Sequence, residues 1–510
     1  MFYCNSFLIL TALPLGGNML LMETKKLSLK SKLAFACTDI FGGGSFNLIN
    51  FLYPTYAALV LGLRPGLVGI VFLVAKIWDA VNDPIMGIIS DRTSSRMGKR
   101  RIYILIGAPL VVLSMALLFF PWSMSSVGLR FALALVCYML FDAVQTLIMV
   151  PYFSLASEVS GDYSERSSAN AIRLSFSIFS SLLCVMLPGM IVDSLQKAGM
   201  GVGNSYIIMS VTFGLLFALP MLFTVFAFKE EIVSPPIREK VSFKNFVQPL
   251  KSKSFRRYFG MAVCNGLTMA IMSGLFFFFV NFVLKSGYTE ANAGSQPFVT
   301  LLSAGLMFAT QIVALPFYIN LVKRKDKRYA YIVGAAIWIA VGLSLFLVPR
   351  NLPDSWNWVI MILAVLMGFG ISGALLVPHS LLGDVNDACE VQFGQRKEGV
   401  VSGLTNFVNK ASQAVGMQII FGILDLAKFV SREDPTGPAV VSQPASAQTA
   451  LTLLIALAPL VIMSVGIFVC AGYRINKSKQ AEIAEFLEKQ RAAENFSDLD
   501  AERAALLNTL

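Results

Sequence analysis

Two carboxylates lie deep in an apolar stretch, where charged side chains are expensive to place. Asp79 and Asp83 stand four residues apart within residues 66–90, with Asn82 beside them and Lys76 one turn earlier. This spacing puts both carboxylates on one helix face. A charged residue at the centre of a membrane-spanning helix costs about 2.5–3.5 kcal/mol on insertion scales, so the pair needs a partner. A small cation is the favoured partner, and a structural ion pair with Lys76 is the alternative.

Pro84 adds a further oxygen to this candidate site. A proline cannot donate to the carbonyl four residues earlier, so the Ala80 oxygen is freed one turn from both carboxylates. Thr146, in another apolar stretch, can supply a hydroxyl. Oxygen ligands suit a hard cation such as Na⁺, and two close carboxylates can also share a proton. The pattern predicts a coupling ion, either Na⁺ at Asp79 and Asp83 or H⁺, and no other cofactor.

The composition is that of a polytopic membrane protein. Of 510 residues, 56% are apolar and 14% are charged, and the mean hydropathy is +0.69. The net charge of +11 lies in short loops between apolar runs, which indicates membrane topology rather than nucleic-acid binding. The seven cysteines form no CxxC pair, and the sequence shows no P-loop or nucleophile–base pattern. A disulfide framework, a metal site and an enzyme are therefore not predicted.

Twelve apolar runs are each near or above the ~20 residues needed to cross a bilayer. Basic residues concentrate in the loops after the second and eighth runs. With an even number of spans, this places both termini in the cytoplasm. Residues 1–21 make a poor signal peptide, so we expect an over-extended start or a short arm. The predicted spans are approximately 33–62, 66–90, 102–122, 129–157, 169–195, 204–228, 256–285, 296–322, 329–349, 356–383, 399–429 and 447–474.

An internal repeat divides the chain into two halves. Arg100-Arg101 aligns with Lys327-Arg328 at an offset of 227 residues, and Val150-Pro151 aligns with Val377-Pro378 at the same offset. We therefore predict an all-α membrane protein of the major facilitator fold, with twelve transmembrane helices in two six-helix halves. The predicted units are an N-terminal segment (1–32), an N-terminal half (33–228), a cytoplasmic linker (229–255), a C-terminal half (256–474) and a cytoplasmic tail (475–510).

The tail has the pattern of a charged amphipathic helix. Ala481, Ile483, Phe486 and Leu487 share its apolar face. Packing of this face on the cytoplasmic end of the bundle is the favoured interpretation, and a solvated appendage is the alternative.

The stretch Ala75–Gly87, followed by Asp91-Arg92 and by Arg96-Met-Gly-Lys99, closely resembles a known transporter family. This is the melibiose-carrier-like glycoside–pentoside–hexuronide:cation symporter family of the major facilitator superfamily. The resemblance extends over residues 28–475. It implies a Na⁺, Li⁺ or H⁺ site at Asp79, Asn82, Asp83 and Thr146. It also implies that Lys410 lies where cation and sugar meet and that Arg173 lies near the cytoplasmic side of the sugar cavity.

The sequence departs from this family at the sugar site. Two aspartates that hold the galactoside in the family fall on Gly43 and Met149 here. Asp39 lies four residues before Gly43, and Asp142 lies seven residues before Met149, so each shares roughly the same helix face. We hypothesise that Asp39 and Asp142 are substrate-binding acids displaced along the cavity; structural hydrogen bonding is the alternative.

Other residues are candidates for stacking and for gating. Tyr152 and Phe153 can stack on a sugar ring or serve as core aromatics. Charges on the predicted cytoplasmic loops resemble the facilitator loop motif and can close that side of the cavity; simple topology or a solvated loop is the alternative. The gating candidates are Asp91, Arg92, Arg96, Arg166, Asp384 and Arg396.

Together these features predict a secondary active transporter of the bacterial inner membrane. It would couple Na⁺ or H⁺ to the uptake of a glycoside, pentoside or hexuronide, with an anionic sugar such as a uronide favoured. The expected partners are this solute, a monovalent cation and membrane lipid, without nucleic acid, and the expected state is a monomer. The alternatives are a cation-dependent lysolipid transporter, which the resemblance to a vertebrate branch of the family allows, and a non-transporting sensor.

Overall fold

The computed structural model describes residues 27–509 apart from 94, 160–162, 230–247, 285–295, 395–397, 433–439, 441 and 493–499. All regular secondary structure within these ranges is helical, which confirms the predicted all-α class. The first 26 residues and most of the predicted linker lie outside the described residues.

The described helices fall before and after the linker. Those before it are α1 (Leu29–Ala36), α2 (Asp39–Leu59), α3 (Pro65–Arg92), α4 (Arg101–Leu118), α5 (Val127–Glu158), α6 (Tyr163–Lys197) and α7 (Val202–Ala227). Those after it are α8 (Lys253–Phe279), α9 (Phe298–Arg324), α10 (Lys327–Ser344), α11 (Asn357–Phe393), α12 (Glu398–Leu426), α13 (Ala445–Ala471), α14 (Lys477–Ala492) and α15 (Asp500–Thr509). A π-helical turn at Val280–Leu284 continues α8, and 3₁₀ turns form at Gln248–Lys251 and Asp354–Trp356.

The first predicted span, residues 33–62, is broken into α1 and α2. At the break, the amides of Ile40 and Phe41 donate to the carbonyls of Cys37 and Thr38, three residues back rather than four. Such bonds tighten the chain locally. The Thr38 hydroxyl also donates to Thr224 on α7 at 2.9 Å, which holds the break against its neighbour. Helix α2 therefore occupies the predicted first span from Asp39 onward, and the short helix α1 precedes it.

Two helices extend well beyond their predicted apolar runs. Helix α6 begins at residue 163 instead of 169, and α11 ends at residue 393 instead of 383. The apolar pattern ends where charged residues begin, but the backbone stays helical past that point. Helix α11 stops where Gly394 adopts a left-handed conformation with φ of 71°, a common helix terminator.

By length and composition, nine helices of the described part could cross a membrane. Helices α2, α10 and α12 occupy the predicted spans 1, 9 and 11 but do not reach the same apolarity. Helix α2 carries one charged side chain, Asp39, together with glycines and asparagines, and α10 and α12 carry more than one charged side chain each, among them Lys327 and Lys410. The count of twelve crossing helices therefore stays a prediction.

Helix contacts form two groups. In the first, α2 packs on α6, α3 on α5, and α4 on α5 and α7; in the second, α8 packs on α12 and α13, and α11 on α9 and α10. The two groups meet through α3 with α12, α6 with α9, and α2 with α8. Exchanging the groups converts the α3–α12 contact into the α6–α9 contact, as a pseudo-two-fold repeat requires. The exact boundaries of the halves stay a prediction.

The loop residues 95–100 and 325–326 lie at one end of the bundle, which we call the basic face. Toward the end of the bundle opposite the basic face, the two groups of helices contact each other. The Phe51 ring of α2 lies 5.9 Å from Phe277 and 5.5 Å from Phe308. The Arg432 amide donates to the Ala58 carbonyl at 3.2 Å. The two groups are thus joined closely at the end away from the basic face.

The tail packs on α11, which confirms the favoured interpretation of its apolar face. Gln480 donates to Asp387 at 3.1 Å, and Arg503 donates to the Val391 carbonyl at 2.8 Å. Ile483, Phe486 and Leu487 are buried, whereas Ala481 is exposed.

Candidate functional site

The predicted carboxylate pair faces α5 from two successive turns of α3. The Asp79 side chain is buried, with 5% of its surface exposed, while that of Asp83 is 32% exposed. Thr146 of α5 lies between them, with its hydroxyl oxygen 3.0 Å from Asp79 Oδ1 and 3.0 Å from Asp83 Oδ1. The structure therefore brings together three of the four predicted cation ligands.

The position of Thr146 has a chemical consequence. A hydroxyl carries one proton and can donate to one carboxylate at a time. The second oxygen–oxygen contact at the same distance is repulsive unless a proton or a cation is shared there. The three oxygens thus form a donor set that fits a small monovalent cation or a proton.

Lys410 reaches this site from α12, in the other group of helices. Its Nζ atom lies 2.6 Å from Asp83 Oδ2 and 2.8 Å from Asp79 Oδ2. The Lys410 side chain is 38% exposed, so the cluster opens to solvent on this side. The ammonium occupies the position between the carboxylates that a cation could take.

Lys76 and Asp142 complete the cluster. Lys76 Nζ lies 3.2 Å from Asp142 Oδ1 and 3.7 Å from Asp79 Oδ2. The Asp142 side chain is only 2% exposed and pairs with Lys76, so its role as a substrate-binding acid stays a prediction. With all five side chains ionised, three aspartates and two lysines carry a net charge of −1, which one monovalent cation neutralises.

Asn82 stands apart from this cluster. It is half-buried on α3, and within the described ranges its side chain makes no hydrogen bond to the carboxylates. The structure therefore does not bring Asn82 to the predicted cation ligands.

A second charged group lies nearer the basic face. Arg173 Nη1 of α6 is 3.7 Å from Asp39 Oδ2, and its guanidinium carbon lies 5.3 Å above the Phe153 ring. Asp39 is buried, whereas Phe153 is 51% exposed. Tyr152 is fully buried and its hydroxyl donates to the Phe35 carbonyl at 2.9 Å. Tyr152 is therefore a core aromatic, which leaves Phe153 as the accessible ring of the predicted pair.

The predicted gating residues follow two patterns on the basic face. Asp91 pairs with Arg100 at 2.7 Å, and Asp384 pairs with Lys327 at 2.6 Å. Arg100 and Lys327 are the repeat-equivalent basic residues. Neither salt bridge crosses between the groups of helices: Asp91–Arg100 lies in the first group and Asp384–Lys327 in the second. Arg92 and Arg96 are exposed, Arg166 is half-buried, and Arg396 lies outside the described residues.

Sequence reasoning missed the pairing of Lys76 with Asp142 and the contacts of Arg100 and Lys327. A signal for the first was present, because Lys76 is itself a charge deep in an apolar run and needs its own partner. A signal for the contacts of Arg100 and Lys327 was their spacing of 227 residues, which is the offset of the internal repeat. The 227-residue repeat identified their equivalence without showing which aspartates they contact.

Curated relatives match nearly the whole chain. The sodium-dependent lysophosphatidylcholine symporter 1-B of Danio rerio is 26% identical over 98% of this chain and 97% of its own length. The putative glycoside/cation symporter YagG of Escherichia coli (strain K12) is 26% identical over 94% of this chain and 99% of its own length.

Solved structures show the fold at low identity. A bacterial homologue of the human lysosomal transporter Spinster, in an inward-facing and unoccupied conformation, superimposes with a TM-score of 0.60 at 13% identity. That match covers 87% of this chain and 97% of the other. The nucleoside transporter NupG gives a TM-score of 0.55 at 11% identity, over 86% of this chain and 98% of the other. The fold of this chain is thus the one that these two solved transporters share.

The family described as MFS/sugar transport protein matches residues 34–477. This match and the symporter relatives confirm the predicted resemblance. The chain is a multi-pass integral membrane transporter, and it belongs to the MFS/sugar transport protein family.

Proposed function

We propose that this protein couples one monovalent cation, Na⁺ in the first instance, to the uptake of an anionic organic solute. The observation that carries the proposal is the Asp79–Asp83–Thr146 oxygen set, which lies among five charged side chains of net charge −1. Three oxygens from α3 and α5 supply ligands of the kind that hard cations prefer.

Lys410 links cation binding to solute binding in this proposal. A cation that enters between the carboxylates takes the place of the Lys410 ammonium, which lies 2.6 Å from Asp83. The displaced ammonium, already partly exposed, then becomes available to an anionic group of the solute. Because each ligand improves the site for the other, cation and solute raise one another's affinity by the same factor.

The solute class follows from the groups that remain accessible near this cluster. Lys410 and Arg173 offer positive charge, and the exposed Phe153 ring suits the apolar face of a pyranose. The family aspartates that hold a neutral galactoside are replaced by Gly43 and Met149. A sugar uronide therefore fits better than a neutral glycoside.

A lysophospholipid is the second candidate solute. Relatives named as sodium-dependent lysophosphatidylcholine symporters match this chain over more than nine-tenths of its length. A phosphate group could bind Lys410 in the same way as a uronide carboxylate, and Phe153 could contact an acyl chain.

The conformation and membrane placement are part of the proposal. Inter-group contacts at the end opposite the basic face support a carrier that is closed at that end. The positive-inside pattern supports a cytoplasmic basic face, cytoplasmic termini and, with bacterial relatives, an inner-membrane location. A monomer is sufficient, because the described cluster is completed within one chain.

Uptake into proteoliposomes tests the proposal. We expect an inward Na⁺ gradient to drive accumulation of 4-nitrophenyl β-D-glucuronide, and replacement of Na⁺ by K⁺ to abolish it. The matched neutral glucoside and lysophosphatidylcholine form the other arms. Uptake of the glucoside alone would contradict an anionic solute, lysophosphatidylcholine uptake alone would select the second candidate, and uptake indifferent to Na⁺ and to pH would contradict cation coupling.

A further inference from the structure

A basic pocket lies far from the cation cluster, on the basic face between the start of α8 and the end of α13. Its volume is about 410 Å³. We call it the α8–α13 pocket. Four cationic side chains line it: Lys253, Arg256, Arg257 and Arg474.

Among the residues that the structure describes, no acid balances the charge of this pocket. None of the described lining residues is a carboxylate, and none of the four cations forms an ion pair with a described residue. The first turn of α8 adds the positive end of a helix dipole, since Lys253 is its first residue. Four like charges around one cavity repel each other, so an anion in the cavity is stabilised by all of them.

Gly472 lies directly against the Arg257 side chain. Any residue can adopt its φ of −79°, so the backbone conformation at this position does not require glycine. A Cβ atom at this position would lie 2.7 Å from the Arg257 guanidinium carbon. The glycine therefore leaves room for the guanidinium to lie against the end of α13.

An apolar strip on α13 leads into the same pocket. Val461, Val465 and Phe468 are exposed at spacings of four and three residues, which place them on one face. Val469, the next residue, lines the pocket. Because α13 is long and apolar enough to cross a membrane, we expect this exposed strip to face lipid chains.

We propose that the α8–α13 pocket binds the phosphate group of an anionic phospholipid, whose acyl chains lie along the Val461–Val465–Phe468 strip. A free phosphate would meet the same four cations but would leave the adjoining strip without a role. The lipid would join α8 to α13 at the basic face. Neither the coupling ion nor the transported solute enters this inference.

The test is lipid binding to the full-length protein, purified in a neutral detergent. Native mass spectrometry would compare dioleoylphosphatidylglycerol with dioleoylphosphatidylcholine, and inorganic phosphate would be added as a separate competitor. For the triple variant Arg256→Gln/Arg257→Gln/Arg474→Gln, we expect about tenfold or greater weakening of phosphatidylglycerol binding. Lys251→Gln is the matched control, because Lys251 is exposed on the same face without lining the pocket, and its binding should stay within about twofold of wild type.

A second variant changes the space and keeps every charge. Gly472→Leu should displace Arg257, fill the pocket and weaken phosphatidylglycerol binding as the triple variant does. Monodisperse gel filtration would show that both variants are folded, and if the triple variant is not, Gly472→Leu decides. Equal phosphatidylglycerol binding by wild type and Gly472→Leu would overturn the proposal, as would full displacement of the lipid by millimolar inorganic phosphate.

Discussion

Two helix pairs that the repeat makes equivalent are built from opposite chemistry. In the first half, α3 and α5 meet through the charged cluster around Asp79. In the second half, the equivalent positions lie 227 residues later, on α9 and α11. Lys76, Asp79 and Asp83 correspond to Ser303, Leu306 and Thr310 of α9. Asp142 and Thr146 correspond to Phe369 and Gly373 of α11. None of these five positions retains a charge.

The second pair replaces charge with close packing. A Cβ atom on Gly368 would lie 2.1 Å from the Met307 carbonyl oxygen, and one on Gly373 would lie 2.4 Å from the Tyr318 ring. Small residues of this kind let membrane helices approach closely. Under the proposed function, the cation ligands therefore come from the first half, while the second half provides close helix packing and the ammonium of Lys410.

Asp79→Asn should reduce Na⁺-driven uptake more than the other substitutions do. We expect Na⁺-driven uptake to fall by about 100-fold or more, because removing one partner from a buried ion cluster costs about 3–5 kcal/mol. Ser303→Ala is the matched control at a repeat-equivalent position of α9 and should transport normally. The measurement is initial uptake rate per folded carrier, and an active Asp79→Asn carrier would exclude this aspartate from the cation site.

Substitutions of Lys76 and Asp142 test whether Na⁺ affinity depends on the net charge of the cluster. Asp142→Asn alone brings the cluster to zero, and we expect about tenfold weaker Na⁺ binding, since the remaining buried lysine opposes the cation. Lys76→Met/Asp142→Asn restores a net charge of −1, so it should recover Na⁺ binding to within about threefold of wild type. Isothermal titration with Na⁺ measures both. If the double variant is as weak as the single one, Asp142 is a direct ligand instead.

Lys410→Gln should separate cation binding from transport. Without the competing ammonium we expect Na⁺ to bind about five- to tenfold more tightly in the absence of solute, while solute uptake falls. Lys428→Gln, in the loop that follows the same helix, serves as the control. Weaker Na⁺ binding by Lys410→Gln would contradict the competition between the ammonium and the cation.

Glycine substitutions test the close packing of α9 against α11 through their effect on the stability of the protein. Gly368→Ala should destabilise the protein by about 1–3 kcal/mol, because the added methyl overlaps the Met307 backbone. Gly87→Ala on α3 meets only Val150, at 4.0 Å, and should be neutral or slightly stabilising. Thermal unfolding midpoints of the two variants would show the contrast, and equal shifts would remove the distinction between the pairs.

The sequence located the helices well, because apolar runs of this length have few alternatives in a membrane chain. It also selected Asp79, Asp83, Thr146 and Lys410, which the structure brings together from three helices. The cost of placing charge in an apolar run identified Asp79 and Asp83, and the family resemblance supplied Thr146 and Lys410. The cost of an unpaired charge follows from its residue type and its depth in an apolar run, so it indicates that a partner is needed without identifying that partner.

What the sequence could not provide is the rotation of each helix toward its neighbours. Asp142 has the helix periodicity of a cavity residue, yet α5 turns it toward Lys76. Tyr152 and Phe153 are adjacent in sequence, yet one is fully buried and the other exposed. The break before Asp39 depends on the Thr38–Thr224 hydrogen bond, a contact between residues 186 positions apart.

The net charge of the cluster also determines which currents the carrier can produce. An empty site of charge −1 feels the membrane voltage, at about 2.3 kcal/mol per charge per 100 mV, and a site filled by Na⁺ alone does not. With a neutral glycoside or a zwitterionic lipid, one positive charge would cross per cycle. With a uronide, the loaded and empty forms carry equal charge and the cycle is electrically silent. Electrical recording on a supported membrane would therefore read the charge of the solute directly.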